Sequence, residues 1–137
     1  MKIIDGKNAI LGRLESYAAK VALKGEEVAI LNCEQIIITG SRQDIQEDFQ
    51  QRKKRVGTLQ VGPKVSVSSE KIVKRTIRWM LPDHRAWRGR EAFKRIKCYV
   101  GIPKEFEKRE VIKLDLNITK TPKNKYLQVK EIYKKNE

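Results

Sequence analysis

An α/β fold built on a parallel sheet with covering helices is predicted for this 137-residue chain. Three observations predict it. Residues 2–5 read as a short strand, residues 10–24 as a helix, and residues 28–31 as a second strand, an order that calls for a crossover and therefore parallel pairing. Val28-Ala29-Ile30-Leu31 is apolar at every position, as suits a central strand buried on both faces. The composition, 39% hydrophobic and 35% charged, fits one globular domain with a modest core.

The elements follow in order. After the strand at 2–5 and a turn at 6–9, Leu11, Leu14, Ala18 and Val21 recur at spacings of three and four, the mark of an amphipathic helix. Gly25 stops it, with Lys24 beside the negative end of the helix dipole. Ile36-Ile37-Ile38 is a further strand ended by Gly40. Ser41 and Asp44 have capping-box spacing, and a polar surface helix is expected from there to about Arg55. Residues 56–67 hold Gly57, Gly62 and Pro63 and read as a long loop; loops of this length in compact domains are usually functional or disordered.

Ser68 or Ser69 caps the next helix, which runs to Leu81 and ends at Pro82. Val73, Ile77, Met80 and Leu81 share one face; Lys71, Lys74, Arg75 and Arg78 share another. A helix over 86–95 puts Gly89, Ala92, Phe93 and Ile96 on one side and Arg90, Lys94 and Lys97 on another. A strand over 98–100 ends at Gly101-Ile102-Pro103. Ile112, Leu114, Leu116 and Ile118 alternate with polar residues, as in a half-buried extended segment. A turn is expected at 121–124 and a short helix over 129–135. Residues 1–108 read as the core domain and 109–137 as a C-terminal extension, packed on the core or trailing from it.

Charge decides the class of partner. Thirty-one Lys and Arg against 17 Asp and Glu give +14, well above the magnitude of about 2–8 that solubility needs in a small domain. A polyanion relieves that self-repulsion. Residues 70–97 alone carry ten basic and three acidic side chains, half the net charge. The candidate phosphate-contacting residues are Lys71, Lys74, Arg75, Arg78, Arg85, Arg88, Arg90, Lys94 and Lys97, with Arg52, Lys53, Lys54, Arg55 and Lys64 at the loop. Arg13, Lys20 and Arg42 are weaker candidates, and the bland alternative throughout is a solvated basic face. Trp79 and Trp87, flanked by apolar helix positions, are expected to pack rather than stack.

Catalysis finds little footing. His84 is the only histidine, and Asp83 beside it lacks a nucleophile. Cys33 and Cys98 are far apart in sequence, form no zinc-ligand spacing, and read as buried small hydrophobes. Gly6-Lys7-Asn8 lacks the spacing of a phosphate-binding loop. No run of 18 apolar residues spans a bilayer, and the N-terminus has no signal-peptide pattern. The expectation is a cytoplasmic protein with no cofactor, no metal, no membrane partner and no small-molecule substrate.

Four stretches together resemble one family. Ile10-Leu11-Gly12-Arg13-Leu14 is similar to its first-helix opening, and Val28 through Glu34 to its apolar strand ending in Asn-x-Glu, with Thr39-Gly40-Ser41 its following turn. Arg78-Trp79-Met80-Leu81-Pro82 resembles its Arg-Gly-Met-Leu-Pro signature, and Gly89 through Pro103 its closing helix and strand. The family is large-subunit ribosomal protein thirteen, in its archaeal and eukaryotic form, and the resemblance spans residues 2–108. Trp79 departs from it, standing where the family has Gly, and either stacks on RNA there or turns toward protein. The resemblance implies a three-layer α/β/α fold around a four-stranded parallel sheet of order 3-2-1-4, into which the strands near 2–5, 27–32, 36–38 and 96–100 would fit. It also implies a structural constituent of the large ribosomal subunit, bound to large-subunit ribosomal RNA and neighbouring ribosomal proteins and acting early in assembly. A free RNA-binding translational regulator shares the same electrostatics and is the alternative.

Overall fold

The computed structural model describes residues 1–57, 62–83, 85–114 and 125–133. Strand β1 (Lys2–Asp5) leads into helix α1 (Leu11–Leu23), then β2 (Val28–Leu31), a 3-10 turn (Cys33–Gln35) and β3 (Ile37–Thr39). Helices α2 (Arg42–Lys54), α3 (Ser69–Met80) and α4 (Trp87–Arg95) follow, then β4 (Ile96–Cys98), β5 (Ile112–Lys113), β6 (Tyr126–Gln128) and a closing 3-10 turn (Val129–Glu131). The helices match their periodicity closely. Gly25 adopts φ +99°, a conformation that stops α1 cheaply only without a side chain. Ser41 and Ser68 hold the N-cap positions of α2 and α3, but neither side chain caps the backbone; the Ser68 hydroxyl instead donates to Glu70 at 3.2 Å.

The main sheet has four parallel strands in the order β4-β2-β1-β5. Counted along the chain within this sheet, that order is 3-2-1-4, as expected. Two of the segments filling it differ. Residues 96–98 take the third place, beside β2, and Ile112–Lys113 takes the fourth, beside β1. The run at 36–38 leaves this sheet: β3 pairs antiparallel with β6, Ile38 opposite Leu127, and touches the α1 entrance through a parallel bridge to Ile10. The β-branched residues make a strand, but the partner is a segment nearly ninety residues away. The strand expected at 98–100 begins two residues earlier, and Tyr99 N still donates to Ile30 O at 2.9 Å.

Strand alternation sorts the core into two faces. Ile4, Val28, Ile30 and Ile96 meet Leu14, Ala18, Ala22, Val73, Ile77 and Ala92 from α1, α3 and α4. Ile3, Ala29 and Leu31 point the other way, where Phe106 covers them from a run of turns. β2 is buried at all four positions, as its apolar run requires. The segment after residue 108 adds buried Leu127, Val129 and Ile132 to the larger cluster. Only Val129–Glu131 of the helix expected over 129–135 is helical, as a 3-10 turn; Ile132 and Tyr133 follow as turn residues. Residues 134–135, residues 116–118 of the alternating segment, the turn at 121–124, residues 58–61 of the loop and His84 lie outside the described residues.

Two motif residues have architectural work. Asn32, in the left-handed region at φ 53°, donates from Nδ2 to Asp5 Oδ1 at 2.9 Å and ties the ends of β1 and β2 together. Glu34 Oε2 accepts Gly101 N–H at 3.1 Å and holds the chain leaving β4. Cys33 is buried and Cys98 half-buried, both as free thiols, with the Cys33 thiol held far above its usual range by hydrogen bonding to Cys98 and by burial.

Candidate nucleic-acid interface

Helix α3 carries the centre of the candidate site. Ile72, Val73 and Ile77 face the core, so residues three and four apart on the opposite side face outward. Lys71, Lys74, Arg75 and Arg78 occupy that side. With Pro63, Lys64 and Ser66 from the loop and Phe93 from α4, they line an open groove of about 470 Å³ that no acidic residue lines. The Arg75 guanidinium donates to the Lys64 carbonyl at 3.3 Å, fastening the loop to the helix. The Lys74 ammonium sits 5.0 Å from the centroid of the Phe93 ring, joining α3 to α4. Arg78 Nε is buried without a hydrogen-bond partner among the described residues.

The groove continues at both ends. A neighbouring depression of about 420 Å³ shares Lys71 and Lys74 and adds Lys97, and is also lined by Glu70. On the other side, a smaller cavity of about 160 Å³ lies between α2 and the loop, where Arg52 and Arg55 join Arg75. Tyr133 stands near the same arginines: burial raises its phenol above the usual range, and the charges of Arg52 and Arg75 pull it partly back. Eight sequence-nominated residues, Arg52, Arg55, Lys64, Lys71, Lys74, Arg75, Arg78 and Lys97, are thus brought into one basic tract.

Other nominated residues lie apart from it. Arg85, Arg88 and Arg90 are exposed around the α3–α4 corner and at the start of α4. Lys94 is exposed and paired with Glu91 at 3.3 Å, one turn along the same helix. Lys53 lies over the Tyr133 ring at 5.5 Å, and Lys54 is exposed at the end of α2. Arg42 is committed to Glu131, at 3.2 Å, and so anchors α2 to the C-terminal segment. Arg13 and Lys20 are exposed on α1.

Two readings of the sequence need correction. Trp79 and Trp87 do not pack in the core: they are 74% and 87% exposed. Met80, assigned to the core face of α3, is also exposed, whereas Leu81 beside it is buried. The spacing carried a clear signal for Trp87 and a mixed one for Trp79, which also lies seven residues, about two turns, beyond buried Ile72. Trp79 lies two residues beyond buried Ile77, and Trp87 two before buried Gly89. Two residues turn a helix by about 200°, to its far side. Phe93, read only as a packing residue, also lines the groove.

Among the described residues no group of three or more His, Cys, Asp or Glu could hold a metal, and no helix is long and apolar enough to cross a membrane. Comparison with known proteins is consistent along most of the chain. The sequence model of a family described as ribosomal protein L13 matches residues 1–105. The chain is 44% identical over 123 residues to the large ribosomal subunit protein uL13 of Methanocaldococcus jannaschii, covering 88% of this chain and 89% of that one. It is 40% identical over 137 residues to the protein of the same name from Methanosarcina barkeri, covering 98% and 96%. The Methanococcoides burtonii protein of that name is 39% identical over 133 residues, covering 96% and 94%.

Proposed function

The chain belongs to the ribosomal protein L13 family, a structural constituent of the ribosome rather than an enzyme, and we propose that it holds large-subunit ribosomal RNA through the basic tract on α3. The observation that carries this reading is the groove itself: Lys64, Lys71, Lys74, Arg75 and Arg78 converge on one open surface with no acidic side chain among the lining residues. A protein partner of mixed charge would leave most of these cations unneutralised. A phosphate backbone neutralises them and releases its condensed counterions, which drives binding. The cations stand on a helix and on a loop tied to it, so less side-chain freedom is lost on binding than from a flexible tail. Phosphate contacts of this kind fix orientation and carry no sequence information; the tertiary shape of the RNA supplies specificity. The protein works in the cytoplasm, bound to the ribosome beside neighbouring large-subunit proteins, and supports early assembly of that subunit.

The test is competition between tagged variant and untagged parent for assembled large subunits at two salt concentrations. Lys64→Glu, Lys71→Glu and Lys97→Glu are combined, because none of these side chains makes an ion pair in the fold among the described residues. Incorporation should fall severely. With purified RNA, the slope of log affinity against log salt should shrink by about 0.7–0.9 for each phosphate the variant no longer neutralises. Equal incorporation at both salts refutes the assignment of this surface.

A further inference from the structure

Two tryptophans in water are an unusual feature for a chain of this size. Trp79 is the penultimate residue of α3 and Trp87 the first of α4, and they are the most exposed large hydrophobic side chains among the described residues. Covering an indole buries about 150–250 Å², so leaving both uncovered forgoes a sizeable stabilisation. The described residues between them are tied by hydrogen bonds and close packing. Asp83 accepts Ala86 N–H through its carbonyl and Arg85 N–H through its carboxylate, each at 3.0 Å. Gly89 is pressed so closely on the Pro82 and Asp83 carbonyls that a side chain there would collide with them. The two indoles thus flank a turn whose described residues are hydrogen-bonded and closely packed.

The charge around the corner selects the partner. Arg78 lies over the Trp79 ring at 5.7 Å. Arg85, Arg88 and Arg90 are exposed on the turn and on α4; Asp83, with one carboxylate oxygen accepting Arg85 N–H, is the only acid from 78 to 90, and Glu91, one turn on from Trp87, is paired with Lys94. An apolar protein surface complements the indoles but leaves four guanidinium groups facing it. A single-stranded nucleic acid complements both, because its bases have π-faces and its phosphates lie alongside. We propose that Trp79 and Trp87 form a stacking platform for unpaired RNA bases, with the surrounding arginines on the flanking phosphates. The inference rests on the RNA-binding reading above but adds an adjoining site that shares Arg78: the α3 groove tracks phosphates, whereas this corner recognises bases that are out of a helix.

The test uses the full chain and two probes, an oligoadenylate of roughly 12 nucleotides, within the usual single-strand site size, and an RNA duplex of equal length. Oligoadenylate should quench the tryptophan fluorescence. Replacing both residues, Trp79→Ala with Trp87→Ala, should weaken oligoadenylate binding about tenfold or more, from the known strength of base–aromatic stacking. Duplex affinity and the salt slope should stay as in the parent, because every cation that meets a phosphate is still in place. Trp79→Phe with Trp87→Phe should retain most of the single-strand affinity. Both indoles are exposed, so the alanine variant should melt as the parent does, which separates a missing platform from a damaged fold. Unchanged oligoadenylate affinity in the alanine variant, or parallel weakening toward both RNAs, overturns the platform while leaving the groove reading intact. Unchanged binding of both RNAs with failed entry into large subunits assigns the corner to a neighbouring protein and also overturns it. A parent protein that binds neither RNA overturns both readings.

Discussion

Replacing Glu15 with glutamine should stabilise the protein, and by more as the pH rises. Glu15 lies on α1 facing α3, 2% exposed, with its Oε1 accepting the Thr76 hydroxyl. Burial raises its carboxyl from 4.5 to about 7, and the Thr76 hydrogen bond offsets only part of that. In the unfolded chain the same carboxyl ionises near its ordinary value. Below pH 4.5 both states are protonated and the titration costs nothing. Between 4.5 and 7 the unfolded chain gives up a proton that the folded chain keeps, so rising pH favours unfolding. Above about pH 7 the penalty is complete. At about 1.4 kcal/mol per pH unit, it reaches about 3 kcal/mol. Glutamine keeps the shape and the acceptor oxygen for Thr76 but cannot ionise. Apart from a pH-independent offset, its advantage should therefore be about 1 kcal/mol at pH 5 and about 3 kcal/mol at pH 8. Urea unfolding of parent and variant at pH 5, 6, 7 and 8, followed by circular dichroism, measures the difference while cancelling every other titrating group. A difference that stays constant from pH 5 to pH 8 would show that Glu15 titrates alike in both states and would refute the reasoning.

Two further substitutions test the corner between α3 and α4. Leu81→Ala removes a side chain buried in the main cluster and should cost about 2–5 kcal/mol in a denaturant titration; a loss under about 0.5 kcal/mol would place Leu81 at the surface. Gly89→Ala drives a methyl group into the Pro82 and Asp83 carbonyl oxygens, and should cost about 1–3 kcal/mol and several degrees of melting temperature. A variant that melts with the parent would mean the turn can open to admit it.

Much of this architecture is local and could be read in advance. The spacing of Leu14, Ala18 and Val21 gives α1, and the separation of Ile77 from Lys74 and Arg78 gives the two faces of α3, because helix periodicity is written residue by residue. The apolar run Val28–Leu31 announces a doubly covered strand for the same reason. The strongly basic character was also legible, since net charge is a sum over the sequence and needs no coordinates. Trp79 shows the limit within one element: it lies opposite buried Ile77 but two turns from buried Ile72, so periodicity alone left its exposure open.

Helices, central strand, basic character and family are thus legible in the linear order of residues. Which segments pair and which cations meet emerged only on folding. Ile37–Thr39 lies against Tyr126–Gln128 rather than in the main sheet, and the sheet edge belongs to Ile112–Lys113. Glu15 is buried beside Thr76, and Lys64 of the loop meets Arg75 on α3. Strand pairing and side-chain convergence depend on contacts between residues distant in the chain. The free energy of such a contact belongs to the pair in its packed setting, so neither segment carries it alone.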